Sequence, residues 1–278
     1  MAKNIRVIYN NAADRSVVTA SSTAGSLVAS NMLTDIKSAV WRSTDTTASL
    51  TLTWAKNEVV AGVILPFCNF TSQSTIRVRG YIELADTDPI FDTGIINACP
   101  AIALGLWGWG SDSLGVNAFA YGGGTYGRAW INNPASVKKI VIDLSDSTNT
   151  FGYLEVSRLV VGSYWEPTIG AEQGATLTVT DTSKHFRTDA GDQLTDTGTK
   201  YRKQSFSLPS LDEVDRVKMW NILWGNGLAR PIFISMYPND PDVSLEQAHQ
   251  LYGKLVASPV MGTPYFNRHN ATIEIEEV

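Results

Sequence analysis

Few residues of the types that do chemistry stand close enough together in this sequence to do it locally. The strongest formal match is Gly122-Gly-Gly124-Thr-Tyr-Gly127, which has the glycine spacing of a dinucleotide-binding loop, with Asp143 placed as a ribose partner. Such a loop must open an amphipathic helix whose N-terminus receives the pyrophosphate. Here Asn132, Asn133 and Pro134 intervene and no helical period fits, so the context argues against nucleotide binding. His185, His249 and His269 are far apart and each solitary in its segment, so a Ser/His/Asp or metal site would have to assemble in space. Asp86, Asp88 and Asp92 flank Pro89 and could offer oxygen ligands to calcium, but the spacing is not that of an EF-hand loop and reads as a solvated turn. A Walker A loop, a GxSxG elbow and HExxH are all missing. No catalytic, cofactor-binding or metal-binding residue is therefore assigned, and the chain reads as a non-enzymatic protein that needs no cofactor.

The residues most suited to recognition lie between 98 and 130. There Gly105, Gly108, Gly110, Gly115 and Gly122 to Gly124 alternate with Trp107, Trp109, Phe119, Tyr121 and Tyr126. The stretch reads as a long irregular insertion, and loops of that length in compact domains usually serve a function. Three roles fit it. The rings could stack on a sugar or another flat ligand. They could form a subunit contact, where exposed aromatics are enriched. They could also fold back over the domain and be buried.

The surrounding elements are short strands set off by turn residues, the pattern of a sandwich or barrel. Leu50, Leu52 and Trp54 alternate with threonines, and Ile76, Val78 and Gly80 alternate with Arg77, Arg79 and Tyr81. Val59 to Leu65 is almost continuously apolar, as suits a strand covered on both sides. Val137 to Leu144 and Leu154 to Val161 add two strands joined by the polar turn from Asp146 to Asn149. Tyr164 to Ala171, punctuated by Pro167 and Gly170, reads as a seam between domains 1–165 and 166–278.

Beyond the seam, Tyr201 to Leu208 reads as a strand, followed by the one long helical period in the chain. Ser210 with Glu213 spells a capping box, and Asp212, Glu213 and Asp215 put negative charge where the helix dipole favours it. Val214, Val217, Trp220 and Trp224, widened by Met219 and Leu223, form a stripe expected to face the core. Pro231 opens a strand in which Ile232, Ile234 and Met236 share one face, and Ser244 to Leu251 reads as a short helix.

At 278 residues, with 44% hydrophobic and 18% charged content, the chain can bury two ordinary cores. A net charge of −5 weighs against a nucleic-acid surface, and no apolar run reaches membrane-spanning length. The first residues lack the apolar core of a signal peptide, which leads to an expectation of folding in a reducing cytoplasm. Cys68 sits in an apolar context that favours a buried free thiol, and whether it pairs with Cys99 stays open.

Two resemblances follow from longer runs. Ala29-Ser-Asn-Met-Leu-Thr-Asp-Ile-Lys-Ser-Ala-Val-Trp41, then Ser49 to Trp54 and Val60 to Leu65, resembles the opening of discoidin-like, galactose-binding-like jelly rolls. Val137 to Leu144 and Tyr153 to Gly162 look like that fold's closing strands. Arg158 to Pro167, Tyr201 to Phe206, the helix and Arg230 to Tyr237 resemble distal tail proteins of long-tailed bacteriophages, with the two domains in the reverse order.

Together these resemblances imply a mainly β chain: an N-terminal jelly-roll β-sandwich followed by a tail-tube-like β-sandwich with one flanking α-helix. The function they imply is a structural subunit of a virion tail tip or baseplate. It would form a homo-oligomeric ring, hexameric by the resemblance, between the tail tube and receptor-binding proteins. The alternative is a carbohydrate-binding module that recognises a host glycan through the aromatic insertion. Neither resemblance brings catalytic residues, nucleic-acid contacts or membrane insertion.

Overall fold

The computed structural model describes residues 5–100, 125–172 and 174–278. It is mainly β, with 48% of residues in strands and 11% helical, the class expected from the short alternating runs. In chain order the described strands are β1 (Arg6–Ile8), β2 (Val17–Ala20), β3 (Trp41–Arg42), β4 (Thr47–Cys68), β5 (Thr75–Tyr81), β6 (Phe91–Asp92), β7 (Ile96–Asn97), β8 (Thr125–Ser145), β9 (Glu155–Val156) and β10 (Val160–Gly162). They continue with β11 (Thr176–Asp181), β12 (Lys184–Arg187), β13 (Gln193–Asp196), β14 (Lys200–Leu211), β15 (Ile232–Ser235), β16 (Gln250–Leu255), β17 (Met261–Tyr265) and β18 (Arg268–Glu277). The α-helices are α1 (Glu213–Gly225) and α2 (Val243–Ala248).

Two compact units divide the chain. One is Met1–Pro167 with Ile232–Gln250, and the other is Thr168–Pro231 with Leu251–Val278. The segment 232–250, read from sequence as part of the second domain, thus belongs to the first. Local pairing explains it. β15 runs antiparallel to β1, with Phe233 opposite Ile8, and all four of its residues are buried. The strand is covered on both faces, so the alternation expected from Ile232, Ile234 and Met236 is not what seats it.

In the first unit β4 and β8 pair along almost their whole lengths. Each is more than twenty residues long, and their register shifts between Thr53 and Glu58 and between Val60 and Gly62. Bulges at these shifts let one pair of strands contribute to both layers of a sandwich. Leu50, Leu52 and Trp54 from one half of β4, and Val60, Val63 and Leu65 from the other, enter a single core with Ile76, Val78, Ile140, Ile142 and Leu144. Trp41 is fully buried there, and its indole N–H donates to the Ser22 carbonyl at 3.1 Å. Leu154 to Val161 forms two short strands, β9 and β10, rather than one.

The second unit centres on β14, with β11 on one side and β18 on the other. β16 and β17 both pair with β18. β12 and β13 form a separate two-stranded hairpin. Phe206 and Leu208 of β14 and Ile273 and Ile275 of β18 are buried, and α1 contributes Met219 and Ile222. Arg202 and Glu277 form an ion pair within this sheet at 2.7 Å.

Two features of α1 differ from the sequence reading. The N-cap is Asp212, whose carboxylate accepts from the Asp215 N–H at 2.9 Å, while Ser210 remains in β14. That backbone hydrogen bond, with help from the Thr168 hydroxyl, holds the Asp212 carboxyl below its ordinary pKa. Asp212→Ala is expected to cost about 1 kcal/mol and Ser210→Ala almost nothing, as read from urea unfolding midpoints. The apolar stripe is also turned outward: Val214, Val217, Trp220 and Trp224 are exposed, Trp224 by 76%. The buried side of the helix carries Asp215, Met219 and Ile222 instead. Asp215 reaches that side because its carboxylate accepts from the Thr168 N–H at 2.9 Å.

Candidate functional site

The residues singled out in the aromatic insertion divide sharply. Trp107, Trp109, Phe119 and Tyr121 lie outside the described residues. Tyr126 lies within β8 and is only 1% exposed, its ring set against Phe67 at 5.5 Å and Phe233 at 6.2 Å. Tyr126 is therefore a core ring in this fold and not a surface contact, because residues 125–130 are strand where an irregular loop was expected.

A different cleft, of about 400 Å³, opens in the first unit between β6, β7 and an irregular stretch of β8. Its walls are Ile90, Phe91, Asp92, Thr93 and Ile96 on one side and Trp130, Ile131, Asn132 and Asn133 on the other. The sequence makes this stretch irregular. Between the pairs Val60–Ala135 and Gly62–Trp130, β4 spends one residue where β8 spends four. Pro134 has no N–H to give a ladder, and Asn132, Asn133 and Pro134 are all exposed.

Each wall is held firmly. Trp130 is 7% exposed and fixed by an edge-on Tyr164 at 5.5 Å, by Phe233 at 6.2 Å and by the Arg6 guanidinium 4.9 Å from its ring centre. Gly62 lies against the indole so closely that a Cβ there would come within 2.8 Å of it. Opposite, Phe91 lies on Gly80, where a Cβ would stand 2.1 Å from the ring. A side chain at either glycine would displace an aromatic wall.

Asp92 is pinned as well. Its carboxylate receives the Arg77 Nε at 3.0 Å, the Arg77 Nη2 at 2.5 Å and the Gly94 N–H at 2.9 Å. The Thr93 hydroxyl accepts from the Val78 N–H and donates to the Gly94 carbonyl, both at 2.9 Å. By contrast, no described residue engages the side chains of Asn132 or Asn133, and the buried Trp130 indole N–H also lacks a partner among the described residues. The cleft thus combines apolar walls with two open carboxamides, each able to donate and accept.

The Arg77 pair, with the Gly94 N–H, lowers the Asp92 pKa from 3.8 to about 2. A folded-state pKa below the unfolded one stabilises the fold fully above the unfolded value and is lost as pH falls through the folded one. The Asp92 contribution is therefore complete above about pH 4 and disappears toward pH 2, a stretch of the pH–stability curve that Asp92→Asn flattens in urea titrations. Asp92 also stays ionised at neutral pH, which suits a hydrogen-bond acceptor and not a proton donor.

The remaining candidates for chemistry are engaged elsewhere. Asp86 accepts from the Glu83 N–H at 2.8 Å while Asp92 is bound to Arg77, and no group of three metal-ligating side chains converges among the described residues. His249 contacts the Leu245 carbonyl and the Tyr237 ring, His185 contacts Thr195, and His269 contacts Thr263. Gly127 of the glycine loop lies in β8, and Gly122 and Gly124 fall outside the described residues. No helix among the described residues is long and apolar enough to cross a membrane. Asn132 and Asn133 appeared in the sequence only as residues that spoil a nucleotide loop. Their usable signal was Asn-Asn-Pro set inside an otherwise alternating strand, which marks a bulge.

No protein-family model and no curated protein matches this chain. Among solved structures, a Ruminococcus gnavus GH29 fucosidase in complex with fucose is 12% identical over 58% of this chain and 28% of its own, with a TM-score of 0.40. The chain therefore spans less than a third of that fucosidase. The CBM32-5 module of GH89 from Clostridium perfringens, in complex with GalNAc-β-1,3-galactose, is 11% identical over 55% of this chain and 100% of its own, with a TM-score of 0.38. A fucose binding module from Streptococcus pneumoniae is 15% identical over 56% of this chain and 99% of its own, with a TM-score of 0.36.

Proposed function

We propose that this chain is a non-enzymatic recognition and assembly subunit whose first unit binds a neutral glycan in the cleft between Phe91 and Trp130. The observation that carries this reading is the pair of amides that no described residue engages, Asn132 and Asn133, beside apolar walls. A sugar ring needs both kinds of surface: apolar patches for its C–H faces and groups that donate and accept for its hydroxyls. Asp92, the one carboxylate among the described lining residues, is already neutralised by Arg77, so the site favours an uncharged ligand over an acidic one. Among the described residues no second titratable group lines the cleft to split acid and base roles, which supports binding over hydrolysis. Isothermal titration with neutral hexoses, 6-deoxyhexoses and N-acetylhexosamines, with glucuronic acid as the acidic control, tests the reading. Saturable binding of at least one neutral sugar at millimolar affinity or tighter is expected.

A second reading concerns the second unit and rests on a separate observation. The stripe Val214, Val217, Trp220 and Trp224 on α1, and the hairpin tip Tyr265-Phe266, leave large apolar groups in solvent, with Phe266 92% exposed. Trp220 and Trp224 also touch each other, ring centres 6.1 Å apart, and adjoining exposed apolar groups are what a protein interaction site presents. On this reading the second unit docks into an assembly, such as a homo-oligomeric ring with other tail proteins in a bacteriophage tail tip, and the first unit meets the host glycan. Trp224→Ser is expected to leave monomer stability within about 0.5 kcal/mol and to weaken self-association, as followed by sedimentation velocity. Unchanged association would remove the helix face from the interface.

A further inference from the structure

Both cysteines of the chain are buried in the first unit, Cys68 with 1% and Cys99 with 0% exposure, although about thirty residues separate them in sequence. Cys68 ends β4, opposite Thr125 at the start of β8. Cys99 follows Ala98, whose N–H donates to the Ser74 carbonyl at 2.9 Å and whose carbonyl accepts from Arg128 at 3.1 Å. The two sulfurs converge on one hydroxyl: Thr125 Oγ1 lies 3.3 Å from Cys68 Sγ and 3.7 Å from Cys99 Sγ. The Cys68 thiol also reaches the Thr125 carbonyl at 3.3 Å, and the Cys99 thiol reaches the Tyr126 carbonyl at 3.4 Å.

We propose that Cys68 and Cys99 are a redox pair that closes an intramolecular disulfide on exposure to a peroxide, tying the end of β4 to the segment that leaves β7. The groups around the two thiols give them different roles. Burial raises the Cys99 thiol and hydrogen bonding to Cys68 raises it further. Burial also opposes ionisation of Cys68, but hydrogen bonds from Cys99, Thr125 and two backbone groups outweigh it and bring that thiol below its ordinary value. The shorter contact of the Thr125 hydroxyl with Cys68 Sγ, 3.3 Å against 3.7 Å for Cys99 Sγ, makes Cys68 the attacking sulfur and Cys99 the resolving one.

The chemistry balances with hydrogen peroxide as oxidant. The Cys68 sulfur attacks one peroxide oxygen, an S–O bond forms, the O–O bond breaks and water leaves, giving a sulfenic acid. The Cys99 sulfur then attacks the Cys68 sulfur, the S–S bond forms, the S–O bond breaks and a second water leaves. Two thiols lose two protons and two electrons, and one peroxide becomes two waters. A small neutral oxidant suits thiols this deep, whereas a bulky disulfide must wait for the fold to open.

The test uses the full chain, reduced and then treated with hydrogen peroxide, and reads intact mass without reductant. The expected result is a monomer lighter by about 2 Da, with no free thiol on denaturation, full reversal by dithiothreitol, and a melting temperature raised by about 5 °C. Cys68→Ser is expected to abolish the mass loss, and Cys99→Ser to leave Cys68 as an oxygen adduct about 16 Da heavier. A second arm refolds the reduced chain from guanidinium in a glutathione redox buffer, which removes access as a barrier. Disulfide-linked dimers, independent over-oxidation of the two sulfurs, or two free thiols retained in both arms would overturn the proposal.

Discussion

Replacing Glu246 with leucine is expected to lower the folding stability of this protein by about 3–5 kcal/mol. Glu246 of α2 is fully buried, and its carboxylate accepts from Arg128 Nε at 3.0 Å, Arg128 Nη2 at 2.6 Å and the Asn239 N–H at 3.0 Å. The Arg128 side chain is itself only 11% exposed, and its remaining described contact is the Asn97 carbonyl at 3.2 Å. Removing the carboxylate strands a guanidinium away from water, and that uncompensated charge costs far more than the ion pair contributes. The double variant Arg128→Met/Glu246→Leu is therefore expected to recover most of the loss in guanidinium unfolding. If the single and double variants were equally destabilised, burial of the charge would not be the cause. The pair also joins β8 to the returning segment 232–250, so its loss should expose both to proteolysis together.

The second large effect falls on recognition. Asn132→Ala/Asn133→Ala is expected to weaken sugar binding at least tenfold, because each amide supplies about 1 kcal/mol of net hydrogen bonding that alanine cannot replace. Stability should move by less than about 0.5 kcal/mol, since both side chains are exposed and no described residue engages them. That contrast separates a site from a scaffold: the glycines behind the walls, Gly62 and Gly80, would fail both tests when substituted, whereas the asparagines should fail only one.

Much of the fold was legible in the sequence because its strands follow simple physical rules. The alternation of Leu50, Leu52 and Trp54 with threonines matches the burial found in β4, and the apolar run from Val59 to Leu65 matches it from Val60 onward, Val59 itself being exposed. Less legible was anything that depended on which surface an element meets. The α1 stripe has a clean helical period, yet periodicity identifies an apolar face without saying whether this chain covers it. Asp215 is buried because a backbone N–H from a distant loop reaches its carboxylate, a contact with no local signature. Capping moved from Ser210 to Asp212 because β14 runs on to Leu211, so the strand, not the capping motif, set where the helix begins. The return of segment 232–250 to the first unit rests on β1–β15 pairing across more than two hundred residues, which no local pattern encodes.

The site was the least legible part. The sequence put its aromatic candidates into the insertion, where only Tyr126 falls within the described residues, and Tyr126 is core. The cleft instead draws on β6 and β7, which both pair with β5, and on a stretch of β8 that is set by its pairing with β4. Asn132 and Asn133 carried a bulge signal, but nothing local tied that bulge to Phe91 or Asp92.

Titration of the wild-type chain and the Asn132→Ala/Asn133→Ala variant against the same panel of neutral sugars tests this cleft directly. Saturable binding by the wild type, reduced at least tenfold in an equally stable variant, is the predicted result. Equal binding by the two proteins, or no wild-type binding to any sugar in the panel, would contradict the assignment of this cleft as a glycan site.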